Sequence, residues 1–487
     1  MKQNKIFIVQ PSASLKLPTI SPDFPEFSSE NELRLERIDI KQKLREFVNI
    51  SVRPSQISGL FIFGFDTKQQ KYAFVWFSLP TACTFLKLIV IIGGMFYAAI
   101  YEVMIHKRLG VENGENTTLG TTELLLTFTF FASDALGIIL FWRNRGNVED
   151  FLNSIEDTLV TFATELKDHT WVDDWFYHTS RRCGWLVMTV GASAAIAFLI
   201  TSYPDLLSIL AYFQGKEELN WFICTFPIFS YCWYAILFRR LHFRILLMTL
   251  IDTLQFGFRS VKEHATEFAN AKGIGGIGDV RIRRVSGDID EKGAKQDDIT
   301  VIDYLKEIKL RQILEKYRSM ELLLDEFNDL FAPHLLSGIF SMVVVLLMSL
   351  FHLFVEVEIN VFNRFALIFG MNSLCNFVTL FYLGTSATEM ATEADASITA
   401  VKDIPLSSIN PILKQKVMLH FQQALAVPLV VSPGGFFSLN REMLTSVAGA
   451  LTTYLIVLIQ FRGSEKISSS SALRNQTTPL TNVMLEA

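Results

Sequence analysis

The sequence predicts an all-α, polytopic membrane protein with seven transmembrane helices. Half of its 487 residues are hydrophobic and the mean hydropathy is +0.32, above the range of a soluble globular chain. The apolar residues gather into blocks close to the roughly 20 residues that a helix needs to cross hydrocarbon. The charges, which sum to −5, lie between those blocks.

Taken in order, residues 1–40 are rich in Pro, Ser and Glu and read as a disordered, polar N-terminus. No basic-then-apolar leader is visible there, so a span itself directs insertion. Residues 41–76 read as a short helix, a loop and an amphipathic approach to the membrane. Seven apolar blocks follow, at 77–101, 122–142, 183–203, 220–238, 335–356, 365–385 and 444–461. The fourth continues as 241–258 with helical periodicity. We read that as a helix leaving the bilayer, because Arg239, Arg240, His242 and Arg244 are costly inside it; an eighth span is the alternative. Residues 271–298 are Gly-rich and charged and read as disordered. From 299 to 334, Leu305, Ile308, Ile313, Tyr317, Met320, Leu324 and Phe327 recur at helical spacing and run into the fifth block. Similar extensions follow the sixth block (386–403) and occupy 409–431, so a cytoplasmic helical bundle is expected below the spans. The resulting units are 1–40, 41–270, 271–298, 299–442, a final helix at 443–463 and a tail at 464–487.

Lys and Arg near the span ends set orientation. Arg143, Arg145, Arg181 and Arg182 border the second–third loop, and Arg239, Arg240 and Arg244 follow the fourth block. The third–fourth loop carries only Lys216. The N-terminus is therefore expected inside and the C-terminus outside. The sequon at Asn116 falls in an outer loop on this reading and is the candidate glycosylation site.

The cysteines show neither CxxC nor zinc spacing, and no Gly-rich phosphate loop or HExxH occurs. No enzyme activity, metal or cofactor is expected. Nothing argues for nucleic acid, since the cluster Arg281, Arg283 and Arg284 reads as a solvated loop.

Residues 453–461 read TYLIVLIQF, with Gly434, Gly435, Asn440 and Arg441 upstream. This stretch resembles the TYhhhhhQF signature of the insect-type gustatory receptor family, at the expected place in the last span. The resemblance covers about 70–463, mostly through layout outside the last 30 residues. It implies a ligand-gated, non-selective cation channel in the plasma membrane, assembled from four identical or related subunits around the last helix and opened by a small tastant. Partners would be the tastant, the bilayer, monovalent and divalent cations, and other subunits.

On that reading Gln460 and Phe461 form the pore gate. A Gln in a spanning helix needs a partner or water, and a phenyl ring beside it can close the pore by dewetting. An interhelical hydrogen bond is the plainer role for Gln460. Thr453, Tyr454 and Val457 belong to the pore-helix motif, and the Tyr454 hydroxyl is expected against the fifth or sixth helix. Glu442 and Glu465 supply carboxylates at the two pore mouths, partly offset by Arg441, Arg462 and Lys466. Trp221, His352, Asn372, Tyr203 and Glu356 are candidate ligand contacts, polar or aromatic groups in the outer halves of spans. Each of them alone is more often a helix-joining residue. Asp134, in the second block, is protonated, paired or facing a wet cavity. Leu455 stands where the sugar branch often has Glu, and the tail motif leans toward the fructose branch, with bitter compounds open. A seven-helix G-protein-coupled receptor is the alternative, though the third span lacks Asp-Arg-Tyr, the seventh lacks Asn-Pro-x-x-Tyr, and the orientation is opposite.

Overall fold

The computed structural model describes residues 27–57, 63–66, 71–74, parts of 81–93, 117–165, 170–213, 221–270, 291–359, 364–404 and 411–483. These are nearly all helical. In order they form α1 (Phe27–Ile57), strands β1 (Phe63–Asp66) and β2 (Lys71–Phe74), α2 (Thr117–Arg143), α3 (Arg145–Thr164), α4 (Thr170–Phe213), α5 (Trp221–Asn270), α6 (Glu291–Ile359), α7 (Arg364–Lys402), α8 (Pro411–Ala426), a 3-10 turn Pro433–Gly435, and α9 (Arg441–Val483). Among the described residues, four stretches are long and apolar enough to cross a membrane: Arg240–Asn270, Lys306–Val355, Ala366–Lys402 and Arg441–Ser464.

The helices far outreach a bilayer. At 1.5 Å per residue, α5, with 50 residues, is about 75 Å long and α6, with 69, about 100 Å. Hydrocarbon accounts for only about 30 Å of either. The fourth block and its continuation thus form one unbroken rod, not two spans joined by a turn. The rest of each rod packs into a bundle in which α5 is central, touching α1, α3, α4, α6 and α7. Ile245, Ile251, Leu254, Phe256, Phe258 and Val261 are each 0% exposed. Gly257 makes the closest crossing, since a Cβ there would run into the side chains of Met320 and Leu159.

Three expectations are corrected. The stretch expected to be disordered up to residue 40 is helical from Phe27 onward, because Ile40, Leu44, Phe47 and Val48 form a buried stripe at helical spacing. That stripe meets Trp175, whose ring lies 5.3 Å from that of Phe47. Arg45 and Lys41 pair with Glu156 at 2.7 and 3.0 Å. Likewise α6 begins at Glu291, ahead of the expected 299, and residues 271–290 lie outside the described part. The all-α expectation also overlooked a hairpin, in which Phe63 pairs with Phe74 and Asp66 with Lys71. Its edge is satisfied by Asn153 of α3, which accepts from Tyr72 N at 3.0 Å and donates to Tyr72 O at 3.1 Å.

The placement of two arginines also differs. Arg240 and Arg244 were expected outside the bilayer, yet they are only 9% and 4% exposed and sit between blocks expected to span it. Arg240 donates to Ser133 Oγ of α2 at 2.7 Å, and Arg244 to Asn376 Oδ1 of α7 at 2.9 Å. Hydrogen bonds inside the bundle make the burial tolerable.

Candidate functional site: the last helix and its elbow

The last helix is the least buried of the apolar rods. In Arg441–Ser464 the most apolar window is 6% buried, against 89% in Arg240–Asn270. One stripe, Met443, Leu444, Val447, Leu451 and Leu458, faces α6 and α7. The spacing of three, four and seven residues puts these on one side of a helix. The opposite side is open. Thr453, Val457, Gln460 and Ser464 repeat at the same period, flanked by Tyr454 and Phe461, which are 62% and 59% exposed. All five motif residues are exposed, Thr453, Val457 and Gln460 on the side away from the stripe and Tyr454 and Phe461 at its edge. Tyr454 is 62% exposed, so its ring is not buried against α6 or α7 as expected, although it lies within one turn of both Leu451 and Leu458, at the edge of the packed stripe.

The start of α9 is pinned by an elbow, 431–440. Asn328 of α6 donates to Val430 O at 3.0 Å and accepts from Ser432 N at 2.9 Å, so one side-chain amide replaces a missing strand partner. Gly434 and Gly435 then take φ of 63° and 75°, a region costly for side-chain-bearing residues. The chain returns with Leu439 N donating to Val431 O at 2.8 Å. Asn440 caps the helix, its Oδ1 accepting from Met443 N at 2.9 Å. Thr388 of α7 accepts from Arg441 N at 3.1 Å. Gly384 lets α7 approach this closely, since a Cβ there would lie 3.3 Å from Asn440 O and from Leu444.

A charge network ties the elbow to the bundle. Arg441 approaches Glu389 at 3.7 Å, Glu389 meets Arg182 of α4 at 3.1 Å, and Arg182 meets Asp252 of α5 at 2.7 Å. Asp252 is fully buried, and that burial raises its carboxyl above the ordinary carboxylate value despite Arg182. Sequence reading missed this network. Arg182 was visible only as a loop-flanking charge, and Asp252 stood in a continuous apolar stretch.

The other expected site residues scatter. Glu442 is exposed in the first turn of α9, where a carboxylate suits the helix dipole. His352 and Asn372 come together in the α6–α7 seam. The His352 ring stacks on Phe369 at 4.9 Å, and Asn372 donates to Ser349 Oγ at 2.6 Å. Both are buried and join helices. Tyr203 is 62% exposed on α4, apart from that seam. The side chains of Trp221, Glu356, Glu465 and Asp134, and residue Asn116 altogether, lie outside the described residues. Among the described residues, no group of three or more His, Cys, Asp or Glu is placed to hold a metal.

Comparison with known proteins follows the same outline. Residues 48–464 match the family described as 7tm Chemosensory receptor. Over 157 residues, 32% of this chain and 37% of the relative, the sequence is 27% identical to the gustatory receptor for sugar taste 43a of Drosophila melanogaster. The match thus spans little more than a third of that relative. In fold, the chain is similar to the insect olfactory receptor OR5 from Machilis hrabei. The structure in complex with eugenol has a TM-score of 0.61 at 13% identity, and a second structure of the receptor has 0.60 at 15%. Each alignment covers 86% of this chain and 99% of the other.

Proposed function

Because this chain belongs to the 7tm chemosensory receptor family, we propose that it is a taste receptor that is itself a cation channel, opened by a small tastant. The observation that carries the reading is the open side of α9. A helix of this hydropathy that shows Thr453, Val457, Gln460 and Ser464 on one face is ill suited to lipid there, yet suited to a wet axis shared with other copies. Four subunits would complete that axis. Phe461 would narrow it, with the Gln460 amides beside the constriction, and Glu442 would enrich cations at the inner mouth. No dedicated filter sequence is present, so the pore would pass monovalent and divalent cations with little preference.

Seven spans with the N-terminus inside and the C-terminus outside fit the charge bias and the exposed apolar side chains on α2, α4, α6 and α7. Phe128, Trp185, Met188, Phe340 and Phe377 are among these. A sugar, fructose first, is the favoured ligand, from the partial likeness to the fly sugar-taste receptor. The test is expression of the chain alone in cells, with calcium entry read against a panel of sugars and bitter compounds while G-protein signalling is blocked. Sugar-evoked entry that survives the block supports the reading, and entry abolished by it refutes a direct channel. Epitope tags on the two termini give a second test. Both tags on one side of the membrane would remove the seven-span topology.

A further inference from the structure

His264 of α5 and Lys316 of α6 form a joint apart from the elbow and its charge network. The His264 ring is engaged through both nitrogens. Its Nδ1 lies 2.7 Å from Ser260 O, a carbonyl that can only accept, so Nδ1 carries the hydrogen. Nε2 is left as an acceptor and takes a hydrogen bond from Lys316 Nζ at 2.7 Å. The ring is therefore neutral in this arrangement. Lys316 is itself 8% exposed. Its ammonium also meets Glu165, at the end of α3, at 2.6 Å and lies 5.5 Å from the centroid of Phe162. One cation thus ties α3, α5 and α6 together, and the Nε2 lone pair is one of its polar anchors.

A proton on Nε2 removes that lone pair and sets an imidazolium against an ammonium at hydrogen-bond distance, an arrangement the two like charges oppose. The charged groups acting on the ring are Lys316 from α6, Glu165 from α3 and Glu267 from α5 itself. The two carboxylates attract the imidazolium, and only Lys316 repels it. On the α7 side, Glu393 is engaged by Lys262, an earlier residue of α5, at 3.2 Å. Lys316 has a way out, because the Glu165 side chain is 51% exposed and leads to water. We propose that His264 is a sensor of cytoplasmic protons, and that acidification breaks its bond to Lys316 and loosens α6 from α5 at this joint. Its position suits the role, since it lies about 40 Å past residue 238 at 1.5 Å per residue, clear of the hydrocarbon. The rod that loosens carries the Asn328 clamp about three turns further on, so the elbow of α9 is mechanically downstream. The inference goes beyond the proposed channel activity and rests on the proposed orientation only for naming the cytoplasm as the proton source.

Burial, and then Lys316, hold the ring below the ordinary histidine pKa. The parted joint therefore takes up the proton first, and the joint is firm above about pH 6.5 and weakens as pH falls below it. The test is hydrogen exchange of the purified full chain at about pH 7.5 and about pH 5.5, corrected for the chemical exchange rate. Opening of segments 158–165, 258–270 and 310–322 should rise up to about tenfold in acid. His264→Gln keeps an acceptor for Lys316 but does not titrate, and should remove most of the rise. Lys316→Met removes the repulsion and should do the same, which keeps the test decisive if His264→Gln does not fold. A rise of the same size in wild type and both variants, or no rise in wild type, would overturn the proposal. In cells, acidifying the cytoplasm with a permeant weak acid should shift the tastant dose–response of wild type and not of His264→Gln. Absence of any tastant response would refute the channel reading and leave the exchange result to decide the sensor.

Discussion

Replacing Arg182 by Met should destabilise the bundle more than any surface charge change, and the deficit should shrink in acid. Asp252 is 0% exposed and meets Arg182 at 2.7 Å. Removing one partner of a buried pair costs about 3–5 kcal/mol. The lower end, about 3 kcal/mol, applies here, because the Arg182 side chain is 25% exposed and water reaches the pair from its side. Burial already holds the folded-state pKa of Asp252 above its unfolded value. The folded state therefore binds the proton more tightly, and stability falls as pH rises from the unfolded value through the folded one. Losing Arg182 pushes the folded value higher and carries this window toward neutral pH. Each pH unit of acidification inside it then restores up to about 1.4 kcal/mol. The assay is thermal unfolding of the purified chain, followed by tryptophan fluorescence at about pH 7.5 and about pH 5. The Arg182→Met deficit should be largest at the higher pH, and Asp252→Asn in the same chain should recover part of it. A variant that melts with wild type at both pH values, or a deficit that grows in acid, would refute the reasoning.

Phe461→Ala should raise the resting cation leak of cells expressing the chain; an unchanged closed state would remove Phe461 from the gate. Gly384→Val should push the elbow off α7, since its Cβ would sit 3.3 Å from Asn440 O, and should shift the tastant dose–response without changing single-channel conductance. Asn328→Ala leaves the Val430 carbonyl and Ser432 N–H without their side-chain partner and should cost about 1–3 kcal/mol in thermal unfolding. His264 holds its Nδ1 on Ser260 O at 2.7 Å and accepts from Lys316 Nζ on Nε2 at 2.7 Å. Burial, then Lys316, lowers its pKa, so the unfolded state takes up the proton first and stability drops as pH falls through the unfolded value. His264→Gln should flatten that acid loss between about pH 7 and pH 5, as read by melting.

Much of the rod architecture was legible because α4 to α7 and α9 each carry an uninterrupted apolar run with helical periodicity. The motif face of α9 was legible for the same reason, since residues 453, 457 and 460 share a side of any regular helix. What could not be read is what depends on partners distant in sequence. Ile40 closed a stretch that looked like a polar terminus, because the stripe it opens with Leu44, Phe47 and Val48 is narrow and gains its value against partners far along the chain, Trp175 and Phe176 among them. The hairpin strands are four residues each and rely on Asn153, roughly eighty positions away. Arg240 and Arg244 were judged by the cost of an isolated charge in lipid, and their hydrogen bonds to Ser133 and Asn376 lower that cost. His352 and Asn372 were picked as polar groups in apolar blocks, a signal that does not separate helix-joining residues from ligand contacts.

The Asn328 clamp and the Thr388 contact hold the same short turn from two different rods. A millimetre-scale analogue is a crank pinned to two pistons: if α6 slides along α7, the turn between the pins must swivel. The glycines at 434 and 435 set where it can bend, and the stiff rod beyond Asn440 carries that swivel outward over its length. Displacements of a few tenths of an ångström between α6 and α7 would then be magnified at Gln460 and Phe461, about thirty ångströms along the axis from the pins at 1.5 Å per residue.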